Sequence, residues 1–495
     1  MASAIPANAP ASLDPDDWSA FRALAHRMVD DTIDQLRTLD TRPAWSPLPE
    51  GVRTRLATDL GQDGIGEVAA YTEYLALIEP YTNGNRHPRF FGWVQGPGVP
   101  LASLAEFLAS SMNPHMAGFN QSGPLVEEQV LNCMKQLIGY PRDASGILLS
   151  GGTMANVTGL AVARAAKYTG NYTTDGLQGR QFGPLVFYGS HATHGWAPKA
   201  ADFLGFGRDA YVSIATDVDQ RISLNALQAA VHHDRSHGRT PFCVIGNAGT
   251  INTGAIDPLV DLAAFCRAHD LWFHVDGAFG ALAALSPRHR HLVNGLQSAD
   301  SVAFDLHKWM YLPFEIGCVL VRNAGLHQST FDAAGDYMHR LERGVIQGGL
   351  PFAHRGIELT RGFKALKAWM CLRAYGTRRF AAAIERNIDD MQALAERIRK
   401  SEELELLAPA PLNVICFRYR GRDLSDAVLD ELNEEILYRI QESGLGVLSS
   451  TILEGRFALR MANVNHRATF LDLSQIMDAV LSVARTLTAR RSPRL

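Results

Sequence analysis

The chain is short of the features that would place it in a membrane, on a nucleic acid or in an oxidising compartment. No apolar run approaches the roughly 20 residues that a membrane-crossing helix needs. Lysine plus arginine (47) and aspartate plus glutamate (51) nearly cancel, and a net charge of −4 offers little to a nucleic acid or an anionic lipid surface. Six cysteines (Cys133, Cys243, Cys266, Cys318, Cys371, Cys416) occur in 495 residues, none in CxxC spacing. Buried thiols in a reducing cytoplasm are therefore expected, not a disulfide frame. The start MASAIPANAPASLDPDD lacks a basic n-region and a long apolar core, so residues 1–12 read as a disordered lead and not as a signal peptide. A Walker lysine, a dinucleotide glycine fingerprint, an HExxH pair and internal repeats are all missing.

What is present suits an α/β enzyme larger than one compact domain, with 46% hydrophobic residues, 43 glycines and 23 prolines. Residues 13–95 read as mainly helical, the first helix capped by Asp14 with Pro15 at its first position, or else by Asp17. Residues 96–377 alternate strands with helices, as a large ligand-binding domain would. Residues 378–495 begin with Ala-, Glu- and Arg-rich helices and continue into VICFRYR and ALRMANV, two strand-like runs of a smaller α+β domain. Residues 323–355 are poor in apolar periodicity and rich in Gly, Asp, His and Arg, which reads as a mobile surface loop of the kind that closes over active sites.

Chemistry concentrates in four segments. In SVAFDLHKWM an apolar strand, Ser301 to Phe304, runs into Asp305, His307 and Lys308. A lysine amine attacks aldehydes when desolvation or nearby positive charge leaves part of it neutral. In HVDGAFGA, 32 residues earlier, the run Trp272 to Val275 ends in Asp276, followed by Gly277 and Ala278. Ligands of open α/β sheets sit beyond the carboxyl ends of strands, so Asp276 and Lys308 can face one crevice. Pyridoxal 5'-phosphate needs that pair, a lysine for its aldehyde and a carboxylate for its ring nitrogen. GILLSGGTMANVTGLAVAR reads as a strand (Gly146 to Leu149), a glycine turn (Gly151, Gly152) and a helix opened by Thr153, which is a phosphate seat. SHATHGWAPKAADFLG offers His191 or His194 to stack on a flat cofactor; no metal is expected, since no carboxylate or cysteine completes a ligand set.

In this order, with NAGTINTGAIDPL between the histidines and Asp276, the motifs resemble the pyridoxal-phosphate-dependent group II decarboxylases, with the aromatic-L-amino-acid decarboxylase branch nearest. The resemblance extends from FRALAHRMVDDTIDQL through HPRFFGW to YLPFEIGCVLVR, LTRGFKALKAWMCLRAYG and LRMANVNHRAT. It implies the aspartate aminotransferase-like fold type I, with a mainly parallel sheet in the large domain, a helical N-terminal segment and a small α+β domain. It also implies a homodimer with active sites at the subunit interface, residues 13–95 wrapping the partner. The reaction implied is decarboxylation of an L-amino acid to an amine and carbon dioxide.

Residue by residue, the resemblance makes Lys308 the lysine that forms the Schiff base and Asp276 the partner of the pyridinium nitrogen. Counting back from Lys199, Ala200, Leu204 and Gly205, His194 matches the ring-stacking histidine. Gly152 and Thr153 match the phosphate turn, His307 and Asp305 complete that site, and Ala278 leaves room for the ring. Asp305 departs from the asparagine of the animal enzymes, and an anion beside a phosphate is unfavourable. Thr250 matches a hydroxyl contact, although Ile251 replaces a second threonine found in many relatives. Arg361 matches an arginine that fixes site geometry or meets the substrate carboxylate. Tyr337 matches a loop tyrosine that acts from the neighbouring subunit and protonates Cα, a role His194 could share. A phenylalanine there accompanies aldehyde formation, so tyrosine favours simple decarboxylation. Trp93 and Phe119 are expected to wall the side-chain pocket, pointing to an aromatic substrate. MNPHMAGFNQSGP departs from both the aromatic and glutamate branches, which leaves glutamate, aspartate and 2,4-diaminobutyrate as alternatives.

Overall fold

The computed structural model describes residues 12–168, 175–177, 183–332, 341–421 and 424–491. The chain divides into two compact units, one of residues 1–42 with 46–82 and one of residues 43–45 with 83–495. The first is helical, with helices Trp18–Arg37, Glu50–Leu56 and Glu67–Leu77. Asp17, not Asp14, caps the first of them. Its backbone is extended, and its carboxylate accepts from the amides of Ser19 at 2.8 Å and Ala20 at 3.1 Å, two donors that the helix cannot satisfy itself. Tyr71 donates to Asp31 at 2.9 Å and lies under Arg27, which pins the third helix to the first. Trp18, Phe21, Val29, Ile33 and Val68 stay exposed on this unit.

The second unit is built on a seven-stranded sheet and a four-stranded sheet. The strands of the larger are β1 (Ser145–Leu149), β2 (Leu185–Ser190), β3 (Tyr211–Ile214), β4 (Thr240–Asn247), β5 (Trp272–Asp276), β6 (Ser301–Asp305) and β7 (Gly317–Val321). Their order is β1-β7-β6-β5-β4-β2-β3. Pairs β2/β3, β2/β4, β4/β5 and β5/β6 are parallel, while β7 runs antiparallel to both β6 and β1. β1 therefore points the same way as the parallel set, and the carboxyl ends of β1, β2, β4, β5 and β6 share one edge. Strands β1, β2, β5, β6 and β7 are buried along their whole length, as continuous apolar runs covered on both faces must be.

Helix Gly152–Lys167 packs across this sheet with Ala155, Leu160, Val162 and Ala163 inaccessible. It comes close because Gly159 has no side chain: a Cβ there would lie 2.7 Å from the ring of His274 on β5. The smaller sheet is antiparallel, in the order β10 (Ser449–Leu453), β11 (Arg456–Ala462), β9 (Val414–Tyr419), β8 (Leu404–Leu406). Its core gathers Phe91, Ile415, Phe417, Leu459, Ile476 and Met477. Helix Ala365–Arg399 serves both cores and breaks at Gly376, whose φ of 67° is outside helical space.

One expectation is corrected. Within 323–355, residues Ala324–Phe331 form a helix and not a loop. Asn323 caps it by accepting from the Leu326 amide at 2.9 Å, and His327 is anchored between the Ser145 hydroxyl and the Arg355 carbonyl. A cap and a buried polar anchor hold this helix, so apolar periodicity is a poor guide to it. Tyr337 and residues 1–11 lie outside the described residues. All six cysteines are free thiols, five of them buried.

Three buried histidines tie stability to pH. Burial holds His274 down at about 3, and His327 and His466 at about 4, against an ordinary imidazole near 6.5. The unfolded chain takes up these protons first as pH falls below 6.5, so the stabilisation is complete above that value and is lost towards pH 3–4. Thermal unfolding followed from pH 7.5 to 5 should show a falling midpoint, each histidine costing on the order of 1–2 kcal/mol by pH 5.

Candidate active site

The shared carboxyl edge of the sheet opens into a cavity of about 500 Å³. Eight residues singled out in the sequence meet on its wall: Gly152, Thr153, His194, Asp276, Ala278, Asp305, His307 and Lys308. Asp276 ends β5 and is 5% exposed. One carboxylate oxygen accepts from the Trp196 indole at 2.7 Å and the other from the Ala278 amide at 3.1 Å. Each oxygen keeps a free lone pair, so a protonated ring nitrogen has an acceptor that is already aimed. Trp196 is itself held edge-on by His274 at 5.9 Å. That histidine bonds Asn156 at 2.7 Å and Ser301 at 2.8 Å.

β6 ends in Asp305, and the following turn presents His307 and Lys308. Lys308 Nζ lies 2.9 Å from Asp305 Oδ2, and His307 Nε2 lies 3.7 Å from the same oxygen. Burial lowers the pKa of His307 against the opposing pull of Asp305, so the ring is neutral. Its Nδ1 lies 3.1 Å from the Ile316 carbonyl and 3.2 Å from the Ile316 amide. His194 is open to the cavity. Desolvation lowers its pKa, with Lys308 and Lys199 adding to the effect and Asp276 opposing it. The Trp196 amide donates to its Nδ1 at 3.2 Å, which leaves the ring proton on Nε2.

The glycine turn fits a phosphate. Helix Gly152–Lys167 has Gly151 as its N-cap and no side chain satisfying its first amides, and those amides face the cavity beside Thr153. A Cβ on Gly152 would lie 2.7 Å from Asp305 Oδ2, so only glycine lets the turn rest on that carboxylate. A phosphate seat, an amine and a carboxylate with open lone pairs are thus the donor set that pyridoxal phosphate requires.

Four expected residues lie elsewhere. The Thr250 hydroxyl is buried against Thr253 at 3.1 Å, while its neighbours Gly249 and Ile251 line the cavity. Arg361 is 3% exposed, and its guanidinium is committed to Glu127 and to the carbonyls of Leu148 and Met116. It clamps the end of β1 just before the glycine turn and is not free to meet a substrate carboxylate. Trp93 is 51% exposed, with its amide on Ser449 and its carbonyl on Arg460. Phe119 packs edge-on against His115.

The sequence reading missed Ser150, Asn156, Trp196, Asn247, Phe314 and Glu315 as wall residues. Trp196 had a signal, an indole two residues after the histidine. The Asn247 amide side chain donates to Asp257 at 2.8 Å and Thr193 at 3.0 Å, and nothing near it in the chain announces that role. Burial pushes Asp257 up to about 6 although three N–H groups donate to it. Arg460 was also missed: it is 3% exposed, has no acid partner among the described residues, and bonds the carbonyls of Ile251, Asn252 and Trp93.

Residues 55–420 match the pyridoxal-dependent decarboxylase conserved domain. The chain belongs to the pyridoxal-dependent decarboxylase family. It is 33% identical over 474 residues to an aromatic-L-amino-acid decarboxylase of Bacillus atrophaeus, covering 94% of this chain and 96% of that one. An L-2,4-diaminobutyrate decarboxylase of Rhizobium meliloti is 32% identical over 481 residues, covering 96% and 94%. The crystal structure of Oryza sativa TDC with PLP and tryptamine shares the fold, with a TM-score of 0.87 at 21% identity over 96% of this chain and all of that one. The protein is accordingly a pyridoxal-phosphate-dependent amino-acid decarboxylase with the fold-type I architecture expected from its sequence.

In this decarboxylase the Glu127–Arg361 pair sets the position of the turn, because Glu127 also accepts from the Leu148 amide at 3.0 Å. Glu127→Ala would strand a buried guanidinium and should cost about 3–5 kcal/mol. Thermal unfolding of the variant should show that loss, and a weakened hold on pyridoxal phosphate should accompany it in equilibrium titration.

Proposed function

We propose that the enzyme decarboxylates an aromatic L-amino acid, and that it works as a cytoplasmic homodimer. The observation that carries the catalytic assignment is the meeting of Lys308, Asp276 and His194 around the glycine turn at one sheet edge. Bound there, pyridoxal phosphate supplies the electron sink for the pair left on Cα as carbon dioxide departs. Lys308 provides the amine that the substrate displaces. Asp276, locked by Trp196 and Ala278, keeps a proton on the ring nitrogen. The amides at Gly152 and Thr153 hold the phosphate with His307 and Asp305 behind them, and Ala278 leaves the ring room. His194, with its proton on Nε2 and its ring open to the cavity, covers the ring and returns a proton to Cα, a duty shared with Tyr337 of the loop.

Aromatic substrates are supported by the apolar side chains that face the cavity, Phe279 and Phe314, and by the similarity to an aromatic-L-amino-acid decarboxylase. Trp93 and Phe119 join that wall on pairing of the subunits. Three carboxylates on the wall, Asp276, Asp305 and Glu315, disfavour an acidic substrate side chain. Glu315 favours a second reading, 2,4-diaminobutyrate, whose terminal ammonium it would attract, although Lys364 occupies it at 2.8 Å. Exposed Leu104, Phe107, Leu125 and Phe314 in the larger unit, together with the bare apolar faces of the helical one, support the dimer. A cofactor domain 96–377 and a smaller domain 378–495 are supported by the helix break at Gly376, while of the helical segment expected over 13–95, residues 83–95 belong to the larger compact unit.

Three measurements test this reading. Carbon dioxide and product release from cofactor-loaded enzyme, given tyrosine, tryptophan, DOPA, phenylalanine, glutamate, aspartate and 2,4-diaminobutyrate, should yield amine from an aromatic member. Turnover confined to diaminobutyrate would move the pocket assignment to Glu315, and aldehyde with ammonia would replace decarboxylation by oxidative chemistry. Lys308→Ala should abolish both turnover and the cofactor's imine absorbance; a retained band would place the reactive amine elsewhere. Sedimentation of the purified protein should give twice the 54.1 kDa chain mass, and a monomer would refute the dimer.

A further inference from the structure

Asp305 conflicts with the site it occupies. It is 1% exposed, yet it stands at the seat of a phosphate. The glycine turn rests on its Oδ2, and a Cβ on Gly317 would lie 2.9 Å from its Oδ1. Oδ1 has no hydrogen-bond partner among the described residues. Among the described residues the one full cation in contact is Lys308, at 2.9 Å. His307 is neutral and 3.7 Å away. Among the described residues the other titratable groups facing the pair are His194 with Lys199, Asp276 at the end of β5, Glu315 on the wall, Cys318 on β7, which burial keeps a neutral thiol, and Lys367, which is committed to Glu106 and two carbonyls. A lysine ammonium in an ion pair with a carboxylate cannot attack an aldehyde, since its lone pair carries the proton. The same carboxylate repels an arriving phosphate. Both obstacles vanish if one proton moves.

We propose that the Asp305–Lys308 pair is a phosphate-triggered proton relay, which makes Lys308 reactive towards an aldehyde only when a phosphate occupies the neighbouring turn. The proposal rests on Lys308 being the cofactor amine. Two anions in a buried site cannot both stay ionised at low cost, and the nearest proton is on Lys308. When the phosphate settles on the amides of the turn, an Nζ–H bond breaks and an Oδ2–H bond forms. Asp305 becomes a neutral carboxyl able to donate to an anion, and Lys308 becomes a neutral amine. The amine lone pair forms the C–N bond, both amine hydrogens pass to the carbonyl oxygen, and that oxygen leaves as water as the C=N bond closes. Nothing is oxidised or reduced. An asparagine at 305 would seat the phosphate equally well but would leave the lysine indifferent to it, so the acid makes the enzyme selective for the phosphorylated form of the aldehyde.

The test uses full-length apoenzyme and pyridoxal, which lacks the phosphate, with capture read as growth of the imine absorbance band. In the wild type, added inorganic phosphate should speed capture about tenfold or more, the effect of removing one neighbouring charge on a lysine. Asp305→Asn should capture pyridoxal about tenfold faster without phosphate, with its rate–pH profile moved to lower pH, and added phosphate should change its rate less than about twofold. Pyridoxamine 5'-phosphate, which has no aldehyde, should bind Asp305→Asn at least as tightly as wild type. Absence of phosphate acceleration in the wild type, or its persistence in Asp305→Asn, would overturn the relay. Loss of pyridoxamine 5'-phosphate binding in the variant would make Asp305 a prop for the seat and overturn it too. A band that survives in Lys308→Ala would instead refute the assignment of the amine, and the relay with it.

Discussion

The parallel pairing of β5 with β6 is the constraint on which the site depends. It sets Asp276 opposite Ala303, and the pairing continues past the end of β5: the Gly277 amide donates to the Ala303 carbonyl at 2.8 Å, and the Asp305 amide to the Ala278 carbonyl at 2.9 Å. Two backbone bonds thus fix Asp276, the carboxylate proposed to face the ring nitrogen, relative to the turn that carries Lys308. Because side chains alternate along a strand, a slip of one residue would turn Asp276 and Asp305 to the opposite face. The buried runs Trp272–Asp276 and Ser301–Asp305 prevent such a slip, since it would repack every apolar contact on both faces of the sheet.

Around that pairing lies a buried polar scaffold. Trp196 and Ala278 aim Asp276, Asn156 and Ser301 hold His274 behind Trp196, and Asp257 holds Asn247. Arg361 and Glu127 secure the end of β1, which delivers the glycine turn. A satisfied polar network in a low-dielectric interior specifies one arrangement, because displacing any member leaves another unpaired. The cavity is therefore preorganised where the cofactor's ring and phosphate belong. Among the described residues Glu127 Oε2, Arg361 Nε and Asp305 Oδ1 lack a hydrogen-bond partner, and of these three residues Asp305 is the one ion-paired to Lys308.

Much of this was legible in the sequence because the chemistry is local. Strand, acid and small residue are contiguous at Asp276, as are strand, histidine and lysine at Lys308, and strand, glycines and helix at Gly152. Failures came where a partner is distant in the chain or where the local backbone conformation decides which way a side chain turns. Arg361 meets Glu127 and Leu148 more than 200 residues away, so a guanidinium that looked available for a substrate is spent on the scaffold. Thr250 sits in the expected segment, but its hydroxyl turns to Thr253. The choice between Asp14 and Asp17 needed the backbone conformation, which spacing does not supply.

The sequence by itself determined the family, the cofactor and the residue types that handle it, because reactive side chains must follow strand ends and glycine must precede the helix that receives a phosphate. It also established that no local stretch was apolar enough to cross a membrane as a helix. Only the tertiary structure decided which of those side chains converge. Whether an arginine is spent, an indole is aimed at a carboxylate, or an aspartate is paired with the reactive lysine depends on contacts between segments far apart in the chain. Those contacts follow from sheet order and helix packing, which local periodicity does not encode.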